Sequence, residues 1–315
     1  MSKKLKRKVV VIGGNGFIGQ ALLSELHCNH SDNLDIVSLV RRVSGNEGVK
    51  EILVQESSDI RDAITSFSPQ VVFDLSGSYV AENYFEFQTK NLAVPLVVLD
   101  ALKDLKSDAR YIVASSAAIY NLDRDNERVN EHSVVEPSSF YGAAKAGLEN
   151  ACSIYARKYG LNITVGRIFN VMGPSQPKML FPSVAIQGLV EVKKGKLSLE
   201  DLNHSHFAGL NFLRDFLDIR DVAAALCCLL SESKQGLTTY NICSGNGVKL
   251  NDLYLEAYGQ ILGDCTSHVS STNHVEGFSI YGDNRKFCDA FDWIPAVSVS
   301  SSLKDQISKV MNSRG

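Results

Sequence analysis

Val9-Val10-Val11-Ile12-Gly13-Gly14-Asn15-Gly16-Phe17-Ile18-Gly19 sets the fold: an unbroken β-branched run enters a glycine turn and leaves it as an apolar helix. Glycine at the strand end permits a tight turn, Gly16 lets a pyrophosphate approach the backbone, and Gly19 lets the helix pack close to the strand. A phosphate would then lie at a helix N-terminus, where backbone N–H groups and the helix dipole favour anions. Gly14, Gly16 and Gly19 fit the dinucleotide pattern G-x-G-x-x-G, while Gly13, Gly16 and Gly19 fit G-x-x-G-x-x-G. The spacing leaves both templates open. A phosphate-binding P-loop is excluded, because Gln20 and Ala21 follow Gly19 in place of Lys and Ser or Thr. A glycine turn without a ligand is the plain alternative, but strand before and helix after are the setting the dinucleotide motif requires.

Working outward, β-branched runs and helical patterns alternate: helix Phe17 to His27, strands Asp35 to Val40 and Glu51 to Val54, helix Ile60 to Phe67, strand Val71 to Leu75. A helix from Phe87 to Leu105, a strand Tyr111 to Ala114, a helix Phe140 to Tyr159 and a strand Asn162 to Arg167 follow. This alternation predicts an α/β fold built on a doubly wound parallel sheet, with about six strands by residue 167. After Phe169 the texture changes at Gly173-Pro174, Pro177 and Pro182. We expect a dinucleotide-binding domain over residues 1–170 and a smaller substrate lobe over 171–315. The two are interleaved, because a buried helix over Asp218 to Leu230 and a strand Thr238 to Ile242 bring the chain back to the sheet around 210–245.

Composition narrows the function. The chain has 315 residues, 44% hydrophobic and 21% charged, with a formal charge of -3, so no basic surface is available for nucleic acid. The basic lead Met1 to Lys8 precedes only four apolar residues, too few for a secretory signal, and Val222 to Leu230 is about half a membrane span. Seven cysteines without a C-x-x-C read as reduced thiols of a cytoplasmic protein. His27-Cys28-Asn29-His30 and the pair His204 and His206 lack companion ligands at zinc spacing, so no metal is expected.

Cofactor choice is made after the second strand, where a carboxylate would hold ribose hydroxyls and repel a 2'-phosphate. Arg41 and Arg42 stand there instead. A guanidinium suits a phosphate at that place, so NADP is favoured over NAD; two solvated loop arginines are the plain alternative. Tyr141 and Lys145 lie one helical turn apart, with Ser138 or Ser139 as helix cap. Of eleven tyrosines, Tyr141 alone has Lys four positions on. A neighbouring ammonium would bring a phenol from about 10 toward neutral pH and make it a proton carrier. The strand Tyr111 to Ala114 runs into Ser115-Ser116-Ala117-Ala118-Ile119-Tyr120, which places hydroxyls at the carboxyl end of a parallel strand, where open α/β sheets bind ligands.

With these segments the chain resembles an extended short-chain dehydrogenase/reductase of the nucleotide-sugar epimerase, dehydratase and reductase group, over nearly its whole length. The resemblance implies Ser116, Tyr141 and Lys145 as catalytic residues. It sets Gly13, Asn15, Gly16, Phe17, Ile18 and Gly19 at the pyrophosphate, and Arg41, Arg42, Leu75, Ser76, Gly77, Asn91 and Ile168 also beside the dinucleotide. Asp74 stands where the group usually has His, and Asn121 where it has Gly. Arg167-Ile168-Phe169-Asn170 and Arg214-Asp215-Phe216-Leu217-Asp218-Ile219-Arg220-Asp221-Val222 resemble segments whose Asn and Arg bind the sugar nucleotide, here Asn170 and Arg214. Tyr240-Asn241-Ile242-Cys243-Ser244-Gly245 resembles the turn Y-N-x-x-S-G. Asp59, or else Glu56, corresponds to the acidic contact to adenine. The resemblance also implies a homodimer in which the helices bearing Asn91 and Tyr141 pair with their copies.

Within that group, a 4,6-dehydratase would carry an Asp-Glu pair where Ala117 and Ala118 stand. The same alanines replace the Glu of the decarboxylases and the cysteine of GDP-fucose synthase. The segment Gly173-Pro174-Ser175-Gln176, Arg214-Asp215-Phe216 and the Arg41-Arg42 pair most resemble reductases of GDP-4-keto-6-deoxymannose. The expected reaction is therefore hydride transfer from NADPH to a 4-keto nucleotide sugar. A nucleotide-sugar 4-epimerase or 4-dehydrogenase holding NAD is the alternative, and a non-catalytic dinucleotide-binding sensor the third reading.

Overall fold

Strand β1 (Arg7–Ile12) buries Val9, Val10 and Val11 completely, because helices cover both faces of the sheet in which it lies. The computed structural model describes residues 6–45, 48–120, 127–206, 210–263 and 279–312, with residues 127 and 203–206 as backbone alone. After β1 come α1 (Phe17–His30), β2 (Leu34–Val40), β3 (Lys50–Leu53), α2 (Ser57–Phe67), β4 (Val71–Asp74), α3 (Tyr84–Asp104) and β5 (Arg110–Ser116). The middle of the chain forms β6 (Glu127–Val129), α4 (Phe140–Tyr159), β7 (Asn162–Ile168), β8 (Asn170–Met172), α5 (Phe181–Lys193) and α6 (Leu199–His206). Then follow β9 (Leu213–Asp218), α7 (Ile219–Cys228), β10 (Leu237–Ile242), β11 (Gly247–Lys249), α8 (Leu250–Leu262), β12 (Ile280–Gly282), α9 (Arg285–Phe291) and α10 (Val299–Asn312).

Seven strands form a parallel sheet in the order β10-β7-β5-β4-β1-β2-β3. Alternate side chains of each strand feed opposite layers, as the pleat requires. Val10, Ile12, Val37, Leu39, Val72 and Val113 pack with α2, α3 and α4, while Val9, Val11, Ile36, Phe73 and Ile112 pack with α1 and α7. This is the doubly wound Rossmann architecture expected from the sequence. The chain leaves β1 toward β2 and later returns on the other side as β4, so a crevice opens at the carboxyl ends of β1 and β4, where such sheets bind ligands.

Differences from expectation have local causes. Helix α3 begins three residues before Phe87, because the Asn83 side chain accepts from the Glu86 N–H at 3.0 Å and caps it. Helix α2 begins at Ser57 through a capping box of Glu56 and Asp59. Asp218 is not helical; its carboxylate caps α7 by accepting from the Arg220 N–H at 2.8 Å. Of the two candidate caps for α4, Ser139 serves, accepting from the Gly142 N–H at 3.1 Å. The sequence reading assigned no second sheet, yet β11, β9, β12 and β6 form one in that order, and β8 also pairs with β9, at Phe216 to Asp218. These strands are three to six residues long, too short to show a period.

Behind β5, a buried ion pair fixes α4 to the sheet. Arg167 of β7 donates to both oxygens of Glu149, at 2.8 to 3.2 Å, and Glu149 also accepts from the Ser115 hydroxyl at 2.6 Å. The Arg167 and Glu149 side chains are only 7% and 13% exposed, so losing one charge strands the other away from water. Glu149→Gln is expected to destabilise the protein by about 3–5 kcal/mol in urea denaturation, with the slope m unchanged.

Candidate active site

The crevice is a cleft of about 550 Å³, the size of a small-molecule site. Its walls bring together Gly16, Phe17, Ile18 and Gly19 of the turn, Leu75, Ser76 and Gly77 after β4, Asn91 of α3, Ser116, Tyr141, Lys145, Ile168, Asn170 and Arg214. Gly13 lies beneath this wall, at φ +81° against the Leu75 carbonyl, where a side chain would be strained and would clash. A Cβ at Gly19 would drive into the Gly13 carbonyl oxygen. The turn is thus closed by backbone alone, and Gly16 N–H donates to Gly13 at 2.9 Å.

Helix α1 starts at Gly16 with no side-chain cap and no acid in its first turn, so its opening N–H groups face the cleft uncovered by side chains. The Ser76 hydroxyl is buried in the wall without a partner. A bare helix start and an orphaned hydroxyl suit a pyrophosphate, so the site fits a dinucleotide. Arg41 and Arg42 do not line the cleft; they are exposed beyond β2, tied to the turn by the Asn15 amide, which donates to the Arg42 carbonyl at 2.6 Å. Asn91 is fully buried and clamps the wall, its amide donating to the Ser78 carbonyl and its oxygen accepting from the Ser78 N–H at 2.9 and 3.2 Å. Glu56 and Asp59 are not in the cleft. Asp59 accepts from the Gln55 and Glu56 N–H groups at 2.7 and 2.9 Å, so its carboxylate is taken up by the helix cap.

On the facing wall, Ser116 and Tyr141 line the cleft together, the serine favouring the phenolate, and Lys145 donates to the Ala114 carbonyl at 2.9 Å. The 3-10 turn after Ser116 is capped by the serine hydroxyl, which accepts from the Ala118 N–H at 3.2 Å. Lys145 Nζ stands 5.9 Å from the Tyr141 ring centroid, and burial pushes the Tyr141 phenol up, with only Ser116 pulling it down. Lys145 itself is pushed down to about 8 by burial, against the opposing pull of Asp74 and Glu149. In the protein alone, desolvation therefore outweighs the Lys-Tyr attraction that the spacing suggested.

Tyr79 and Phe181, which the sequence reading passed over, complete the second half of the cleft with Gln176 and Phe216, which it quoted without a role. Asn170 and Arg214 enter it from β8 and β9; the Asn170 amide donates to the Asp215 carbonyl at 3.0 Å, and burial lowers Arg214. Asp215, fully buried, accepts from the N–H groups of Ser244, Gly245 and Gly282 at 2.8 to 3.1 Å and so ties the Ser244-Gly245 turn to β9. Gln176 is held from α10, with Gln306 donating to it at 2.8 Å. Nothing in a single sequence flags a glutamine held from a distant helix. Among the described residues no three His, Cys, Asp or Glu side chains form a group that could hold a metal ion, and no helix is long and apolar enough to cross a membrane. Asn121 and the side chains of His204 and His206 lie outside the described residues.

A fold of this kind with a glycine turn facing a Ser-Tyr-Lys set defines a class. A model of the NAD dependent epimerase/dehydratase family matches residues 9–243, and the chain belongs to that family. It is an NAD(P)-dependent oxidoreductase by that membership. GDP-6-deoxy-D-mannose reductase of Pseudomonas aeruginosa is 25% identical over 243 residues, 75% of this chain and 78% of the relative. RMD from Pseudomonas aeruginosa complexed with NADPH superposes with TM-score 0.80 at 24% identity, over 98% of this chain and 100% of the other. UDP-glucose 4-epimerase of Thermotoga maritima with UDP-glucose also gives 0.80, at 21% identity, over the same shares.

Gly19→Ala is expected to weaken dinucleotide binding roughly 10- to 100-fold in a fluorescence titration, the equivalent of forcing one methyl into a packed turn. Gly147→Ala, whose Cβ would meet only ordinary contacts at 3.8 Å, is expected to bind as the parent does.

Proposed function

We propose that the protein reduces a nucleotide-diphospho 4-keto sugar, of the 4-keto-6-deoxy kind, with NADPH. The cleft architecture is the single observation that carries this reading. One continuous cavity runs from the bare start of α1, past Ser116, Tyr141 and Lys145, to Asn170 and Arg214. A dinucleotide and a second nucleotide can thus meet end to end over the tyrosine. NADPH supplies the hydride. Ser116 holds the ketone oxygen, Tyr141 donates the proton to it, and Lys145 orients the ribose and keeps positive charge behind the phenol. Arg214 is suited to the substrate diphosphate, because a guanidinium grips phosphate oxygens in a planar fork. Ala117 and Ala118 leave no acid-base pair beside Ser116 for water elimination.

Arg41 and Arg42 support NADP over NAD, since both are exposed at the end of β2 where a 2'-phosphate would lie. The six described cysteines are all unpaired, which supports a reducing compartment such as the cytoplasm. A homodimer through α3 and α4 is supported by the apolar side chains those helices expose, Phe85, Leu96, Phe140 and Ile154. A 4-epimerase is the second reading, favoured by the shared fold with the UDP-glucose enzyme, and the same three side chains would serve it.

The test is NADPH oxidation followed with GDP- and dTDP-linked 4-keto-6-deoxy sugars. Stoichiometric oxidation is expected; bound NAD that survives purification, with no net oxidation, would favour the epimerase. Tyr141→Phe is expected to lower kcat about 10²- to 10⁴-fold while leaving dinucleotide affinity nearly unchanged. Unchanged turnover in that variant would sink the enzymatic role of Tyr141. Replacing Arg41 and Arg42 together by Ala is expected to raise KM for NADPH at least about 10-fold, with little change for NADH.

A further inference from the structure

Helix α10 is joined to the cleft wall by a buried side chain that the proposed chemistry leaves unexplained. Gln306 is 2% exposed, and its amide nitrogen donates to the Gln176 side-chain oxygen at 2.8 Å and to the Ser183 hydroxyl at 2.9 Å. Gln176 in turn lines the substrate half of the cleft, beside the apolar side chains of Pro177, Leu180 and Phe216. Its side-chain nitrogen donates to the Val171 carbonyl at 3.0 Å.

These bonds admit one orientation of the two amides. A carbonyl only accepts, so the Gln176 atom at Val171 is its nitrogen and the atom at Gln306 its oxygen. That oxygen in turn requires the nitrogen of Gln306. Gln306 Oε1 is consequently left buried with no hydrogen-bond partner among the described residues. An orphaned amide oxygen is costly, and an apolar side chain of similar size would avoid it, so packing does not account for a glutamine at this place. Holding Gln176 does. The loop before Gln176 needs a hold as well: Ser175 has φ +73°, uncommon for a residue with a side chain, and Lys309 of α10 donates to its hydroxyl at 2.5 Å.

What Gln176 can offer a ligand follows by elimination. Its backbone N–H donates to the Gly173 carbonyl at 3.1 Å, and its backbone carbonyl accepts from the Ser183 hydroxyl at 3.4 Å. One amide hydrogen goes to Val171, which leaves the second as its remaining donor. Among apolar neighbours, one oriented polar group sets how a ligand lies. We propose that Gln306 is a positioning residue for the substrate half of the cleft: it fixes the Gln176 amide so that the remaining N–H donates to an oxygen of a bound nucleoside diphosphate. This rests on the reading that the substrate is a nucleotide sugar, and it adds a donor for that nucleotide and the distant side chain that orients it.

The test is titration calorimetry of the full chain with GDP, UDP and dTDP, the variants then being compared on whichever the parent binds most tightly. Gln176→Met and Gln306→Met are each expected to weaken that nucleotide about 5-fold, the loss of one hydrogen bond in a closed site. NADPH affinity, which depends on the other half of the cleft, is expected to stay within about 2-fold of the parent's. The two losses are not additive. Adding Gln306→Met to Gln176→Met is expected to change nucleotide affinity less than about 2-fold, because one side chain acts through the other. Gln306→Leu takes the place of the methionine variant should that not fold. A lowered Tm with unchanged nucleotide affinity in the Gln306 variants, or losses that add in full, would overturn the proposal. So would an unchanged affinity in Gln176→Met. A parent that binds none of the three nucleotides would overturn the proposed function along with it, whereas binding indifferent to both glutamines would overturn this inference alone.

Discussion

Two successive turns of α4 grip the end of β5, Lys145 by donating to the Ala114 carbonyl and Glu149 by accepting from Ser115, and the turn before them sets Tyr141 in the cleft with Ser116. An α-helix repeats a face about every four residues, whereas a strand alternates its faces. Residues four apart on the helix thus meet a strand end that offers a carbonyl at Ala114 and a hydroxyl at Ser115. Once Arg167 locks Glu149, the helix cannot slide along the strand without breaking both contacts. The cleft inherits its geometry from that lock, since the same strand end, with the loops after β1 and β4, forms its floor.

The opposite wall obeys a different constraint, the absence of side chains. Gly13, Gly16 and Gly19 bring α1 so close to β1 that its first N–H groups are presented to the cleft as bare donors. A polar backbone wall thus faces a wall of buried titratable groups. On that second wall the buried Glu149 charge is answered by Arg167. The low dielectric that makes such charges costly also makes their mutual influence strong.

Much of this was legible in the sequence because it depends on local pattern. The run Val9 to Gly19, the four-residue spacing of Tyr141 and Lys145, and the serines after Tyr111 each declare a strand end or a helix face. The family resemblance extended that to Asn170 and Arg214, which the structure brings into the same cleft. What escaped depends on contacts between distant segments. The second sheet joins strands as far apart as Glu127–Val129 and Ile280–Gly282, with no period of their own. Gln176 is held by Gln306 from 130 residues away. The spacing of Tyr141 and Lys145 reports proximity and says nothing of burial, which in the protein without dinucleotide pushes the phenol up. Asp59 shows a related point: an acid read from the sequence as a ligand contact, with Glu56 as its alternative, here caps α2.

The central claim is that hydride passes from NADPH to a keto sugar lying over Tyr141. It is tested most directly by mixing the protein with [4-²H]NADPH of the reactive face and a GDP-linked 4-keto-6-deoxy sugar, then locating the label by mass spectrometry and NMR. The account predicts deuterium at C4 of the product sugar, one atom per NADPH consumed. A sugar product without deuterium, or isomerisation of the sugar while the labelled NADPH stays intact, would contradict it.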